Sequence, residues 1–127
     1  MMMVYTVQSI SSLYIDMKKF FVLYMASSAD FQKVMADMGA MTEEQKSAGN
    51  KEWEEWSKGT NVVDMGAPLG KTKRVKADSI ADAKNEVGGY SIIEAESHED
   101  AAKKMQSNPH FKMIPGGWID VMEIMPM

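Results

Sequence analysis

From residue 20 the chain runs Phe-Phe-Val-Leu-Tyr-Met with no polar position. Six residues rich in aromatic and branched side chains favour a strand over a helix, and apolar side chains on both alternating faces imply a strand with both sides covered. Ser27, Ser28 and Asp30 then offer helix-capping oxygens, and Phe31, Val34, Met35 and Met38 fall at helical spacing. Gly39 ends that helix. Thr42-Glu-Glu-Gln45 has the form of a capping box and opens a second helix reaching Lys58, with Trp53 and Trp56 one turn apart and Gly59 as its stop.

Residues 61–65 (Asn-Val-Val-Asp-Met) predict a second strand, and 66–70 (Gly-Ala-Pro-Leu-Gly) a turn. Residues 71–76 form a basic, strand-like piece suited to an exposed edge or arm. Residues 77–87 are polar and weakly patterned, which predicts a loop. Gly88-Gly89 leads into a third main strand, residues 90–95, and Ser97-His-Glu-Asp100 caps a short helix over roughly 98–107, stopped by Asn108-Pro109. Pro115-Gly-Gly117 turns the chain into a last strand, residues 118–125. The order strand, helix, strand, strand, helix, strand predicts an α+β fold, the ferredoxin-like βαββαβ layout: a four-stranded antiparallel sheet with helices on one face. Because residues 20–25 and 118–125 are apolar on both sides, the helix-free face needs a cover. A second copy of the same sheet supplies one, so the expected assembly is a homodimer packed sheet to sheet.

Composition narrows the chemistry. The 127 residues fit one domain. A net charge of −4 disfavours sequence-independent nucleic-acid binding. Zero cysteines remove disulfides, thiolate metal sites and cysteine nucleophiles, and two histidines cannot build an all-histidine zinc site, so no metal or cofactor is expected. Residues 1–16 carry neither a basic start with an unbroken apolar stretch nor a span of about 20 apolar residues, so the expectation is a cytoplasmic protein with no membrane partner. Two readings of that segment stay open: an extension or mis-set start ahead of a domain covering 17–127, or an added edge strand built on Val4-Tyr-Thr-Val7.

The set Val63-Asp-Met-Gly-Ala-Pro-Leu69, Gly88-Gly-Tyr-Ser-Ile-Ile-Glu-Ala-Glu-Ser97, Asp100-Ala-Ala102, Asn108-Pro-His110 and Gly117-Trp-Ile-Asp-Val-Met-Glu-Ile124 resembles the YCII-related domain, which includes the DGPF-type proteins of the dimeric α+β barrel class. The resemblance spans roughly residues 17–127 and implies a ferredoxin-like subunit, a barrel made by two chains, and a cleft between sheet and helices able to hold a small organic ligand. It implies no single reaction. A His–Asp pair proposed as a dyad in some members has no counterpart, since residues 49–58 contain no histidine, and the literal DGPF string is absent.

Two functional classes follow. In the first, the protein binds a small organic molecule or is a cofactor-independent enzyme. His110, whose ordinary pKa lies near neutrality, is then the proton-handling residue, Asp64 its orienting partner, and Tyr90, Trp118, Trp53 and Trp56 the aromatic wall. In the second, the dimer is a non-catalytic accessory or regulatory module. His110 bonded to backbone and tryptophans packed as core are what the second class expects; His110 beside a carboxylate in a pocket is what the first expects. Gly66–Thr72 imitates a phosphate loop but has one residue too few between its glycines, and Pro68 removes an amide.

Overall fold

The computed structural model describes residues 17–126; the expectation for residues 1–16 lies outside them. Strand β1 (Lys18–Met25) is followed by helices α1 (Ser28–Gly39) and α2 (Glu43–Lys58), and then by β2 (Val62–Pro68), β3 (Thr72–Lys76), β4 (Ser79–Ala83) and β5 (Val87–Ala95). Helix α3 (His98–Met105), the single turn α4 (His110–Met113) and strand β6 (Trp118–Glu123) complete the chain. The fold is α+β. Four strands form an antiparallel sheet in the order β2-β5-β1-β6, and β3 and β4 form a separate two-stranded sheet.

The caps read from sequence are present. Ser27 Oγ accepts from the Asp30 amide, and Ser97 Oγ from the Asp100 amide. Thr42 and Gln45 exchange both bonds of a capping box, satisfying two amides that the first turn of α2 leaves without partners.

The period-2 geometry of β1 sorts its side chains into two sets. Phe20, Val22 and Tyr24 point into the helix-covered side and are buried; Phe21, Leu23 and Met25 point to the other and are half-buried. The register carries the division across the sheet. Phe21 lies opposite Ile92 and Met122, and Val22 opposite Ser91 and Val121. Beneath the helices, Phe20, Val22, Tyr24, Ile93 and Ala95 form one core with Ala101 and Met105 of α3, joined by Trp53 and Trp56 of α2. Each fully buried aliphatic or phenyl side chain there contributes about 1.5–3 kcal/mol. The opposite face carries Phe21, Leu23, Met25, Tyr90, Ile92, Trp118 and Met122.

Three expectations are corrected. Residues 66–68 do not turn the chain: β2 continues to Pro68, with irregular steps between Val62 and Asp64 and between Asp64 and Ala67. Residues 77–87 are not a loop, because 79–83 pair with 72–76 as a hairpin around Ala77-Asp78. The last strand ends at Glu123 rather than residue 125. Among the described residues the strand count is therefore six rather than four, the two additional strands forming the hairpin inserted between β2 and β5.

Gly66 makes the irregular part of β2 possible. Its φ is +71°, and a Cβ there would lie 1.8 Å from the Tyr90 carbonyl oxygen. A side chain meets both an unfavourable backbone region and a backbone clash. Gly66→Ala should lower unfolding free energy by about 2–4 kcal/mol in urea titration, far more than Gly70→Ala, where a Cβ meets nothing within 4 Å.

Candidate functional site

Of the buried polar groups among the described residues, Tyr24, Ser91, Asn108 and His110 converge between β1, β5 and the segment after α3. Ser91 Oγ lies 2.8 Å from the Met65 carbonyl oxygen and 2.9 Å from Tyr24 Oη. The serine has one hydroxyl hydrogen, and the carbonyl can only accept, so Ser91 donates to Met65 and Tyr24 donates to Ser91. Tyr24 Oη in turn accepts from Asn108 Nδ2 at 3.5 Å. Asn108 is oriented by its other end, since Oδ1 accepts from the His110 amide at 2.8 Å. The result is a directed chain from Asn108 through Tyr24 and Ser91 to Met65, crossing from the turn before α4 to the sheet edge at β2. Burial pushes the Tyr24 phenol above its usual 10.0, while its bonds to Ser91 and Asn108 oppose the rise.

His110 is 4% exposed. Its Nε2–H donates to the Met25 carbonyl oxygen at 2.9 Å, and its ring lies 5.5 Å from that of Tyr24. Burial pulls the imidazole below its usual 6.5; backbone hydrogen bonds to Met25 and Trp118 act the other way without cancelling the effect. A neutral imidazole donating to backbone is a structural brace between α4 and the end of β1. Gly117 makes room for it, because a Cβ there would sit 2.8 Å from His110 Nε2 and 2.9 Å from the Met25 carbonyl oxygen.

The predicted site residues separate. Asp64 lies on the edge strand β2, exposed, and its Oδ1 accepts from the Gly66 amide at 2.8 Å. Its carboxylate closes a local turn, and no hydrogen bond among the described residues joins it to His110. The four aromatics do not line one wall. Trp53 meets Tyr24 edge-on with centroids 5.2 Å apart and points Nε1–H at Met113 Sδ, 3.3 Å away. Trp56 donates to the Lys104 carbonyl at 3.4 Å. Both belong to the helix side, where they close the core. Tyr90 stacks on Phe21 at 5.6 Å, on the opposite face of the sheet, and Trp118 shares that face. Two open surface grooves accompany this arrangement. One of about 390 Å³ is lined by Glu52, Glu55, Trp56, Gln106, Ser107, Pro109 and Lys112. The other, of about 330 Å³, lies where β2 and β5 meet the hairpin, around Leu69, Lys71, Thr72 and Asn85. Neither contains His110 or Asp64.

Sequence reasoning missed Tyr24, Ser91 and Asn108. Tyr24 sits in an otherwise apolar run, and Ser91 lies between Tyr90 and Ile92 in a strand that otherwise reads as apolar. The available signal was the coincidence of two polar groups at inward-facing positions of adjacent strands, since a buried hydroxyl requires a partner. His98, in the first turn of α3, is exposed; its ring stacks on Phe20 at 5.4 Å and its Nε2 bonds to the Val121 carbonyl at 2.7 Å, pinning α3 to β6.

Two outcomes follow. Tyr24→Phe leaves Asn108 Nδ2 without its acceptor and should cost about 1–2 kcal/mol in denaturant unfolding. The lowered His110 pKa means that the unfolded chain binds this proton first as pH falls. The stability it carries is fully present above its unfolded value near 6.5 and is lost as pH falls from there toward the lower folded value. The urea midpoint should therefore drop between about pH 7.5 and about pH 5.5, and His110→Gln should flatten that drop.

No protein-family model matches the chain, and no curated protein matches it.

Proposed function

We propose that the protein is a homodimeric interaction module of the YCII-related type, a ferredoxin-like subunit whose open sheet face packs on that of a second copy to make an α+β barrel. The observation that carries this reading is the composition of that face. Phe21, Leu23, Met25, Tyr90, Ile92, Trp118 and Met122 lie on one side of the sheet while the helices pack on the other, and Trp118 and Met122 remain 37% and 45% exposed. A contiguous apolar surface rimmed by charges marks an association surface. The strand order β2-β5-β1-β6, with the hairpin treated as an insertion, supports the ferredoxin-like assignment. The resemblance itself rests on the motifs around Asp64, Gly88-Gly89, Asn108 and Trp118.

The reading as a small-organic-ligand protein needs an open cleft between sheet and helices, and the cofactor-independent enzyme needs in addition a proton-handling group facing it. His110 instead spends its Nε2 on the Met25 carbonyl, and Trp53 and Trp56 fill the space between sheet and helices. These are the features the non-catalytic class expects, so the interaction module is the stronger reading.

Sedimentation velocity from low micromolar concentration upward should return a dimer. Leu23→Arg, at the centre of the open face, should return folded single chains. Wild-type protein that stays folded and monomeric throughout overturns the proposal. A thermal-shift screen of aromatic and lactone-like acids should give no stabilisation that His110→Gln removes; one that does restores the ligand-binding reading.

A further inference from the structure

The β3–β4 hairpin stands outside the main sheet with its apolar pair bare. Val75 and Ile80 face each other across the ladder and are 70% and 72% exposed. A two-stranded hairpin on its own is marginally stable in water, so five paired positions with an unburied Val–Ile pair imply a surface to lie on.

Charge identifies that surface. Residues 71–84 hold five Lys or Arg against two Asp, a local charge of +3, which leaves −7 on the rest of the chain. Lys73 is paired with Asp82 inside the arm, while Lys71, Arg74 and Lys76 have no ion pair among the described residues. The open sheet face shows the complementary deficit. By register and exposure it carries Asp64, Glu94 and Asp120 with Lys19 as its cation, and none of these is in an ion pair among the described residues. Packing two such faces together would bring six carboxylates toward a low-dielectric seam, which is costly without cations.

Area points the same way. Four strands about 4.8 Å apart and about 25 Å long give a face of about 500 Å². A stable dimer buries about 800 Å² on each partner. The sheet face alone falls short; an arm two strands wide and about 17 Å long adds about 160 Å², and reciprocal exchange, in which each subunit buries its own arm and the patch under its partner's, covers the difference.

We propose that the β3–β4 hairpin is a dimerisation arm that reaches onto the second copy. It lays Val75 and Ile80 on that copy; Arg74 and Lys76 alternate to the arm's other face, so the basic residues draw the arm to the carboxylates rimming the open sheet face through the field of its +3 charge rather than by direct contact. This rests on the dimer reading above and adds the element that gives it strength and salt dependence.

The test is the dimer dissociation constant at low and high salt for three proteins. In wild type the dimer should weaken with salt. The triple variant Lys71→Glu, Arg74→Glu, Lys76→Glu should weaken it about tenfold or more at low salt and remove most of the salt dependence. Val75→Thr with Ile80→Thr, which keeps strand-favouring residues, should weaken it at all salt concentrations while the far-ultraviolet spectrum is unchanged. Because the chain has no cysteine, Val75→Cys carries a single photo-cross-linker, and its product should have twice the chain mass, joined near Asp64, Glu94 or Asp120. Dimerisation that Leu23→Arg abolishes but both arm variants leave untouched overturns the arm and keeps the sheet interface. A wild-type monomer overturns both. A wild-type monomer whose arm binds a single-stranded oligonucleotide, with binding lost in the triple variant, overturns the second copy as partner in favour of nucleic acid.

Discussion

Strand β1 is hydrogen-bonded on both sides, to β5 and to β6, so its alternation sets the character of two surfaces at once. Phe20, Val22 and Tyr24 are committed to the helix side, where they meet His98, Val121 and Trp53. Phe21, Leu23 and Met25 have no choice but the other side. A one-residue slip of register would exchange the two sets, placing the Tyr24 hydroxyl outside and stranding Ser91 and Asn108 without their shared partner. The polar chain therefore does more than satisfy buried atoms. It discriminates between two registers that the nearly uniform hydrophobicity of residues 20–25 would not separate by itself.

The parts of the fold legible in the sequence are those with a local physical signature. The capping oxygens of Ser27, Thr42 and Ser97 and the apolar runs at 20–25 and 90–95 declare themselves within a few residues. The hairpin did not, because its Ala77-Asp78 turn contains no glycine or asparagine and no positive-φ residue, and its strands carry charge rather than alternation. Gly66 and Pro68 read as a turn for the opposite reason: their residue types suit turns, yet here they shape an irregular strand.

The candidate site was legible only in its members, not in its arrangement. His110 and Asp64 each suit acid–base chemistry, but proximity depends on which strands are adjacent, and β2 is the edge farthest from β6. The four aromatics of the expected wall lie apart for a parity reason. Tyr90 and Ser91 are neighbours in sequence and face opposite sides of the sheet, so Tyr90 cannot share a chamber with Trp53 while Ser91 bonds to Tyr24. Any pocket hypothesis that draws on adjacent residues of one strand meets this limit.

Charge segregation is the feature least explained by the needs of a single folded chain. Surface ion pairs such as Lys46 with Glu43 or Lys103 with Glu99 contribute little to stability, so folding places weak demands on where lysines go. Here the densest basic cluster nevertheless sits on an arm that touches little of its own subunit, while the apolar sheet face is edged with carboxylates. Electrostatic energy gained only on association is indifferent to the monomer and selects orientation, since an arm of +3 is attracted to the rim of another copy and repelled by another arm. The apolar face supplies the drive to associate but, being flat and chemically uniform, specifies direction poorly; the arm supplies direction.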